Sequence, residues 1–120
     1  MPTQNEGLKE GLSQSREIEI EVVGRKSGRS VSIPVWFVAE DNKIELLPVQ
    51  GSDTQWYKNV LENPAIHIKA GGAEGKFDAV PVADAQAVSS LADKFRAKYG
   101  AGDVKKYYSK LDVAVLVKLH

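Results

Sequence analysis

The segment Gly24-Arg25-Lys26-Ser27-Gly28-Arg29 sets three cations and a hydroxyl on one short connection between two apolar stretches. Guanidinium and ammonium groups hold phosphate or carboxylate through charge-assisted hydrogen bonds, and glycines let backbone approach such a ligand closely. A solvated hairpin tip has the same composition, and no regular phosphate loop has this spacing. A second group, Gln50-Gly51-Ser52, runs into a helix that the pattern starts near Asp53. Helix N-termini present unpaired N–H groups to anions, although an ordinary capped helix explains the same residues and Asp53 weighs against a bound anion.

Two aromatic groups accompany these. Trp56, Tyr57 and Asn59 share the helix after Ser52; the tryptophan suits a core position, and the asparagine is harder to explain as packing. Tyr99, Tyr107 and Tyr108 lie among lysines near the C-terminal apolar run. Each is either a buried ring with a solvated hydroxyl or a hydrogen-bond or proton donor over a planar ring.

Other chemistries find little support. The chain has no cysteine, which removes disulfides, thiolate metal sites and a cysteine nucleophile. His67 and His120 are far apart, so no metal site is expected. No Ser-His-Asp or paired-carboxylate arrangement points to hydrolysis. Sixteen basic residues balance sixteen acidic ones, which gives no field to gather nucleic acid. The basic cluster of Lys94, Arg96, Lys98, Lys105, Lys106 and Lys110 against Asp103 suits an anionic small molecule better than a polymer. The first fifteen residues lack the apolar core of a signal peptide and no run reaches membrane-spanning length, so a cytoplasmic protein without an integral membrane segment is expected.

The elements that must position these groups follow from periodicity. At 120 residues, 42% hydrophobic and 27% charged, the chain has the size and composition of one globular domain. Residues 1–16 read as a flexible lead-in or a short docked helix, and 17–120 as the domain. EIEIEVV alternates strictly from Glu17, as a half-buried strand does; GRKSGR makes a hairpin connection; SVSIPVWFVAE is a second strand, with Pro34 marking an edge, a bulge or a cofactor at that point. After a turn at Asp41-Asn42, KIELLPV is a third strand, and three strands on short turns favour an antiparallel meander. Ser52 and Gln55 have capping-box spacing for a helix with Trp56, Val60 and Leu61 on one face, stopped at Asn63-Pro64. AIHIKA and 76–82 are two more strands around Gly71-Gly72. Asp84 caps a second helix carrying Val88, Leu91, Phe95 and Tyr99 and ending near Gly100, and LDVAVLVKL closes the chain as a buried strand. About six antiparallel strands with two short helices make a mainly β fold, which removes its sheet edges most readily by curling into a barrel.

Taken in order, GRKSGR, PVWFV and the strand entering QGSDTQWYKNVLENP resemble the deazaflavin-dependent nitroreductase family, a branch of the flavin and deazaflavin oxidoreductases. The resemblance covers roughly residues 18 to 70. It implies a split β-barrel of the FMN-binding, pyridoxamine-phosphate-oxidase-like type and the deazaflavin coenzyme F420 as cofactor. It implies that Arg25, Lys26, Ser27 and Arg29, on the turn containing Gly28, meet the cofactor's acidic tail or phosphate. Pro34, Val35, Trp36 and Phe37 would lie along the ring system, Gln50, Gly51 and Ser52 at the phosphate-bearing side chain, and Trp56, Tyr57 and Asn59 would shape that end of the pocket. At two places the chain departs from the pattern. Val49-Gln50-Gly51-Ser52 replaces a Ser-Lys-Gly-Gly type loop and removes one positive charge, and of two tyrosines at three-residue spacing only Tyr99 is present, the next place falling on Gly102. Nitroimidazole reduction is therefore not implied. The expected activity is hydride transfer to an electron-poor small molecule such as a quinone or enone, with Tyr99, Tyr107 or Tyr108 as proton donor, by a monomer or homodimer. The alternatives are an FMN-binding split-barrel oxidoreductase and a non-catalytic carrier of a flavin or other hydrophobic ligand.

Overall fold

The alternation from Glu17 forms a strand, β1 (Ile18–Val23), that buries Ile18, Ile20 and Val22. The computed structural model describes residues 4–40 and 42–119; Asp41, expected in a turn, and His120 lie outside the described residues. β1 pairs antiparallel with β2 (Ser30–Val35), from Ile18 opposite Val35 to Val23 opposite Ser30. The connecting tip closes on itself, Gly24 N–H donating to the Arg29 carbonyl and Gly28 N–H to the Gly24 carbonyl, each at 2.8 Å. Gly28 sits at φ 73°, a conformation that costs glycine little.

SVSIPVWFVAE is not one strand. It breaks after Val35 and resumes as β3 (Val38–Glu40), which pairs with β4 (Lys43–Leu46). The break has a physical cause: Phe37 is buried and its N–H and carbonyl are both taken by side chains of a distant helix, so it cannot enter a ladder. Three further strands, β5 (Ala65–Ala70), β6 (Ala73–Val82) and β7 (Ala114–Lys118), complete a seven-stranded antiparallel sheet in the order β2-β1-β5-β6-β7-β4-β3. The expected three-strand meander is thus replaced by two hairpins at opposite ends of the sheet. β6 belongs to two ladders, pairing with β5 through Asp78 and with β7 from Ala79 onward. This corner curls the sheet into a half-barrel. Pro34 is tolerated because β2 is the terminal strand.

Inside the curl, Ile18, Ile20, Val22, Ile44, Leu46, Ile66, Ile68, Val115 and Val117 form one core. Burying each such side chain contributes about 1.5–3 kcal/mol. The lead-in takes the form of a helix, α1 (Gln4–Gln14), whose Leu8 and Leu12 enter this core. Gly11 lets it approach closely, since a Cβ there would collide with the Ala70 carbonyl.

The capping-box reading of Ser52 does not hold. Gly51–Asp53 form a single 3-10 turn, and helix α2 (Gln55–Glu62) begins after Thr54, burying Trp56, Tyr57, Asn59 and Val60 and leaving Leu61 exposed. Helix α3 (Ala85–Tyr99) is capped as expected, Asp84 accepting from Ala87 N–H at 2.8 Å, and it ends at Gly100 with φ 99°. The chain then restarts as an unexpected helix, α4 (Ala101–Tyr107). Val88, Leu91, Phe95, Tyr99, Val104 and Tyr108 make a second core against Val38, Leu47 and Ala114 on the outer side of the sheet.

Candidate functional site

The break between β2 and β3 turns Trp36 out of the sheet. Its indole stacks on Tyr99, with ring centroids 4.2 Å apart and planes 8° from parallel, and meets Tyr107 edge-on at 5.6 Å and Tyr108 tilted at 6.1 Å. In front of this aromatic group lies a cavity of about 390 Å³. Ile33, Pro34, Val35 and Trp36 form one wall, Trp56 from α2 another, and Tyr107 and Tyr108 at the end of α4 a third; Glu17, Leu47 and Val49 complete the lining. Because β2 is terminal in the sheet, one edge of its backbone has no strand partner among the described residues.

The three tyrosines differ. Tyr99 is buried, outside the lining, and its hydroxyl is consumed by backbone: it accepts from Phe37 N–H at 3.1 Å and lies 2.7 Å from the Arg16 carbonyl and 3.0 Å from the Phe37 carbonyl. Lys98 Nζ donates to the same Phe37 carbonyl at 2.7 Å and sits 3.6 Å from the centre of the Phe37 ring, and burial lowers its pKa. Tyr99 thus braces the strand break from behind Trp36. Tyr108 lines the cavity, and its hydroxyl makes no hydrogen bond to a described residue; burial holds its phenol well above the ordinary range, so it stays protonated as a donor. Tyr107 lines the cavity with its ring half exposed.

The hairpin tip and the start of α2 do converge. Arg25 donates from its guanidinium to Asn59 Oδ1 and to Gln55 Oε1, each at 2.8 Å, and from its backbone N–H to Asn59 Oδ1 at 3.2 Å. Asn59 is therefore a clamp for the tip, which explains a buried amide that packing did not. Ser27 Oγ accepts from Arg29 N–H within the tip, while Lys26 and Arg29 are exposed, without a side-chain partner among the described residues.

The turn at 50–52 already holds an anion, one supplied by the chain itself. Ser52 donates from its N–H to Asp112 Oδ1 at 2.9 Å and from its hydroxyl to Asp112 Oδ2 at 2.6 Å. Lys110 Nζ adds contacts of 3.2 Å to Asp53 and 3.7 Å to Asp112. Gly51, at φ 56°, is pressed against Asp112 and Lys110, and Gln50 bridges to Lys110. The Ser52 hydrogen bond, first among the causes, holds the Asp112 carboxyl below its ordinary pKa.

Of the residues singled out in the sequence, Pro34, Val35, Trp36, Trp56, Tyr107 and Tyr108 share the cavity. Phe37, Tyr57 and Tyr99 are buried outside its lining, and the turn of Gln50, Gly51 and Ser52 meets Lys110 and Asp112. Sequence reasoning missed Glu17 and the Asp112 contact. Glu17 was within reach, since it directly precedes the strand that pairs with Pro34 and Val35; Asp112 had no signal, as its partner is 60 residues away.

Comparisons with known proteins bear on this site. A model of the F420H(2)-dependent quinone reductase family matches residues 3–120. No curated protein is significantly similar in sequence. Among solved structures, an F420-H2 dependent reductase (FDR-A) is 19% identical, with a TM-score of 0.67 over 86% of this chain and 94% of that one. HutZ, the heme storage protein from Vibrio cholerae, is 14% identical, with a TM-score of 0.69 over 98% and 90%. A protein from Listeria innocua named for pyridoxamine 5′-phosphate oxidase is 12% identical, with a TM-score of 0.71 over 96% and 92%. At such identities the likeness shows the fold, a split β-barrel.

Proposed function

The chain belongs to the F420H(2)-dependent quinone reductase family, and from that premise we propose that it reduces a planar, electron-poor small molecule, a quinone or an enone, at the Trp36–Tyr108 cavity. The observation that carries the reading is the cavity itself, apolar and aromatic on three sides and bounded by a terminal strand. Its volume falls within the usual range for small-molecule sites.

The residues fit the group the family name implies. The outer edge of β2 at Ile33–Val35, without a strand partner among the described residues, offers backbone polar groups to a heterocycle, with Trp36, Trp56 and Tyr108 as its walls. The acidic tail would meet Lys26 and Arg29 at the hairpin tip, with Arg25 holding that tip to α2. The turn at Ser52 contributes less than the resemblance implied, because its donors serve Asp112. When bound, reduced F420 supplies a hydride, and a proton from solvent or a wall hydroxyl completes the two-electron reduction. Tyr108 would hold the acceptor's oxygen by donating a hydrogen bond, and Trp36 and Trp56 would exclude water and set the acceptor's plane.

A second reading, FMN as cofactor, is favoured by the internal neutralisation of Ser52 and Lys110, since one phosphate needs fewer cations than a polyanionic tail. Titrating F420 and FMN separately into the purified chain, followed by cofactor fluorescence, separates the two. Binding of F420 with steady oxidation of F420H2 by quinones is the expected result. FMN binding without F420 binding overturns the first reading, and F420 binding without turnover across a broad acceptor panel leaves a carrier.

A further inference from the structure

Glu17 stands apart from the other acids on its face of the chain. The next two outward carboxylates along β1, Glu19 and Glu21, are held by Lys69 at 3.6 and 3.3 Å. Glu17 lines the aromatic cavity and makes no ion pair or hydrogen bond with a described residue. Three cations stand around the aromatic group, and none of them lines the cavity. Arg16 lies over Tyr99, 5.1 Å from the ring centre, Lys98 is fixed on the Phe37 carbonyl, and Lys106 sits 5.2 Å from the centre of the Tyr107 ring.

Its position along the strand matters as much as its charge. Glu17 precedes β1, and the cationic tip follows it, so the two are separated by about 20 Å of extended chain. The β1–β2 hairpin is therefore electrically polar, with Lys26 and Arg29 at its tip and Glu17, which lines the aromatic cavity, at its other end. An anionic cofactor tail drawn to the tip leaves the acceptor at the Glu17 end. There the Trp36 ring and the Glu17 carboxylate act in the same direction, favouring positive charge and opposing negative charge, while the Tyr107 ring is already met by Lys106.

We propose that Glu17 is a specificity-determining residue, which makes the acceptor end of the cavity select neutral or cationic planar molecules and reject those bearing a carboxylate or sulfonate. The proposal rests on the reductase reading of this cavity and names its substrate class.

The chain offers a probe that needs no cofactor. Its two tryptophans, Trp36 and Trp56, both line the cavity, so quenching of intrinsic fluorescence reports ligand entry directly. Three naphthoquinones of matched shape would be titrated at low ionic strength: one neutral, one carrying a sulfonate and one a trimethylammonium group. The expected result is tighter binding of the cation than of the sulfonate by about fivefold, as one exposed charge and a cation–π contact allow. High salt should shrink that ratio. Glu17→Gln should bring it close to one, and Glu17→Lys should invert it. The side chain has no partner to lose, so both variants should fold. An unchanged ratio in Glu17→Gln, tighter binding of the sulfonate by the wild type, or absence of quenching by all three would overturn the proposal. Parallel F420 titration separates the two claims. Retained F420 binding without charge selection removes only the role of Glu17, whereas charge selection without F420 binding removes the reductase reading and leaves the selective cavity.

Discussion

Trp36 lies flat on Tyr99, 4.2 Å between ring centres, and the hydroxyl of that same tyrosine receives the Phe37 N–H. One side chain thus sets both the plane of the cavity's main wall and the backbone of the strand break behind it. Tyr99→Phe keeps the ring stack but leaves a buried N–H without its acceptor. We expect a loss of about 1–3 kcal/mol in urea unfolding. An unchanged midpoint would mean that Phe37 finds another partner.

The cations of the hairpin tip should separate into two roles. Arg25 is tied to Gln55 and Asn59, so Arg25→Ala and Asn59→Ala should each destabilise the fold by about 1–3 kcal/mol through lost or unpaired hydrogen bonds. Lys26 and Arg29 have no such ties, so Lys26→Glu with Arg29→Glu should leave the melting temperature nearly unchanged while weakening F420 binding, with a strong salt dependence. Affinity unaffected by the double reversal would remove the tip from the site.

Helix α1 should be sensitive at one glycine. Gly11 touches Ala70 and Gly71 with no room for a Cβ. Gly11→Val would force the helix away from the sheet and loosen Leu8 and Leu12, at a cost of about 1–3 kcal/mol. Hydrogen exchange along α1 would register the change; protection equal to the wild type would contradict the close docking.

Asp112 predicts an acid limb in stability. Its folded pKa is depressed, chiefly by the Ser52 hydrogen bond, below an ordinary value of 3.8. The contribution is therefore fully present above that value and is lost as pH falls through the lower folded pKa. The Asp112 contribution to the wild-type unfolding midpoint should hold from neutral pH down to about 5 and be lost only as the pH falls below 3.8 through the lower folded pKa, so Asp112→Asn should show a shallower acid drop from a lower start. Parallel curves for the two proteins would exclude Asp112 as the source.

Much of the fold was legible because its cause is local. The alternation from Glu17, the cap at Asp84 and the stop at Asn63-Pro64 each reflect a preference expressed within a few residues. Long-range competition defeated other readings. SVSIPVWFVAE has an unbroken strand pattern, yet Tyr99 and Lys98, over 60 residues away, take the backbone groups of Phe37. Ser52 has the spacing of a cap, yet its donors go to Asp112. The aromatic site residues were recognisable by type, but nothing in their spacing separated Tyr108, at the wall, from Tyr99, behind it.

By itself, then, the chain's order of residues determined the alternating strand from Glu17, the Asp84-capped helix and the helix stop at Asn63-Pro64, that three cations share one glycine-containing tip, and that no cysteine is present. Only the tertiary structure decided which groups remain available. Burial, the curl at β6 and contacts between distant segments consumed Arg25, Tyr99 and Ser52 in holding the fold, and left the polar side-chain groups of Lys26, Arg29, Tyr108 and Glu17 without a hydrogen-bond or ion-pair partner among the described residues. A polar group can serve a ligand only if the fold has not already satisfied it, and that balance is struck between residues too far apart in the chain for any local pattern to record.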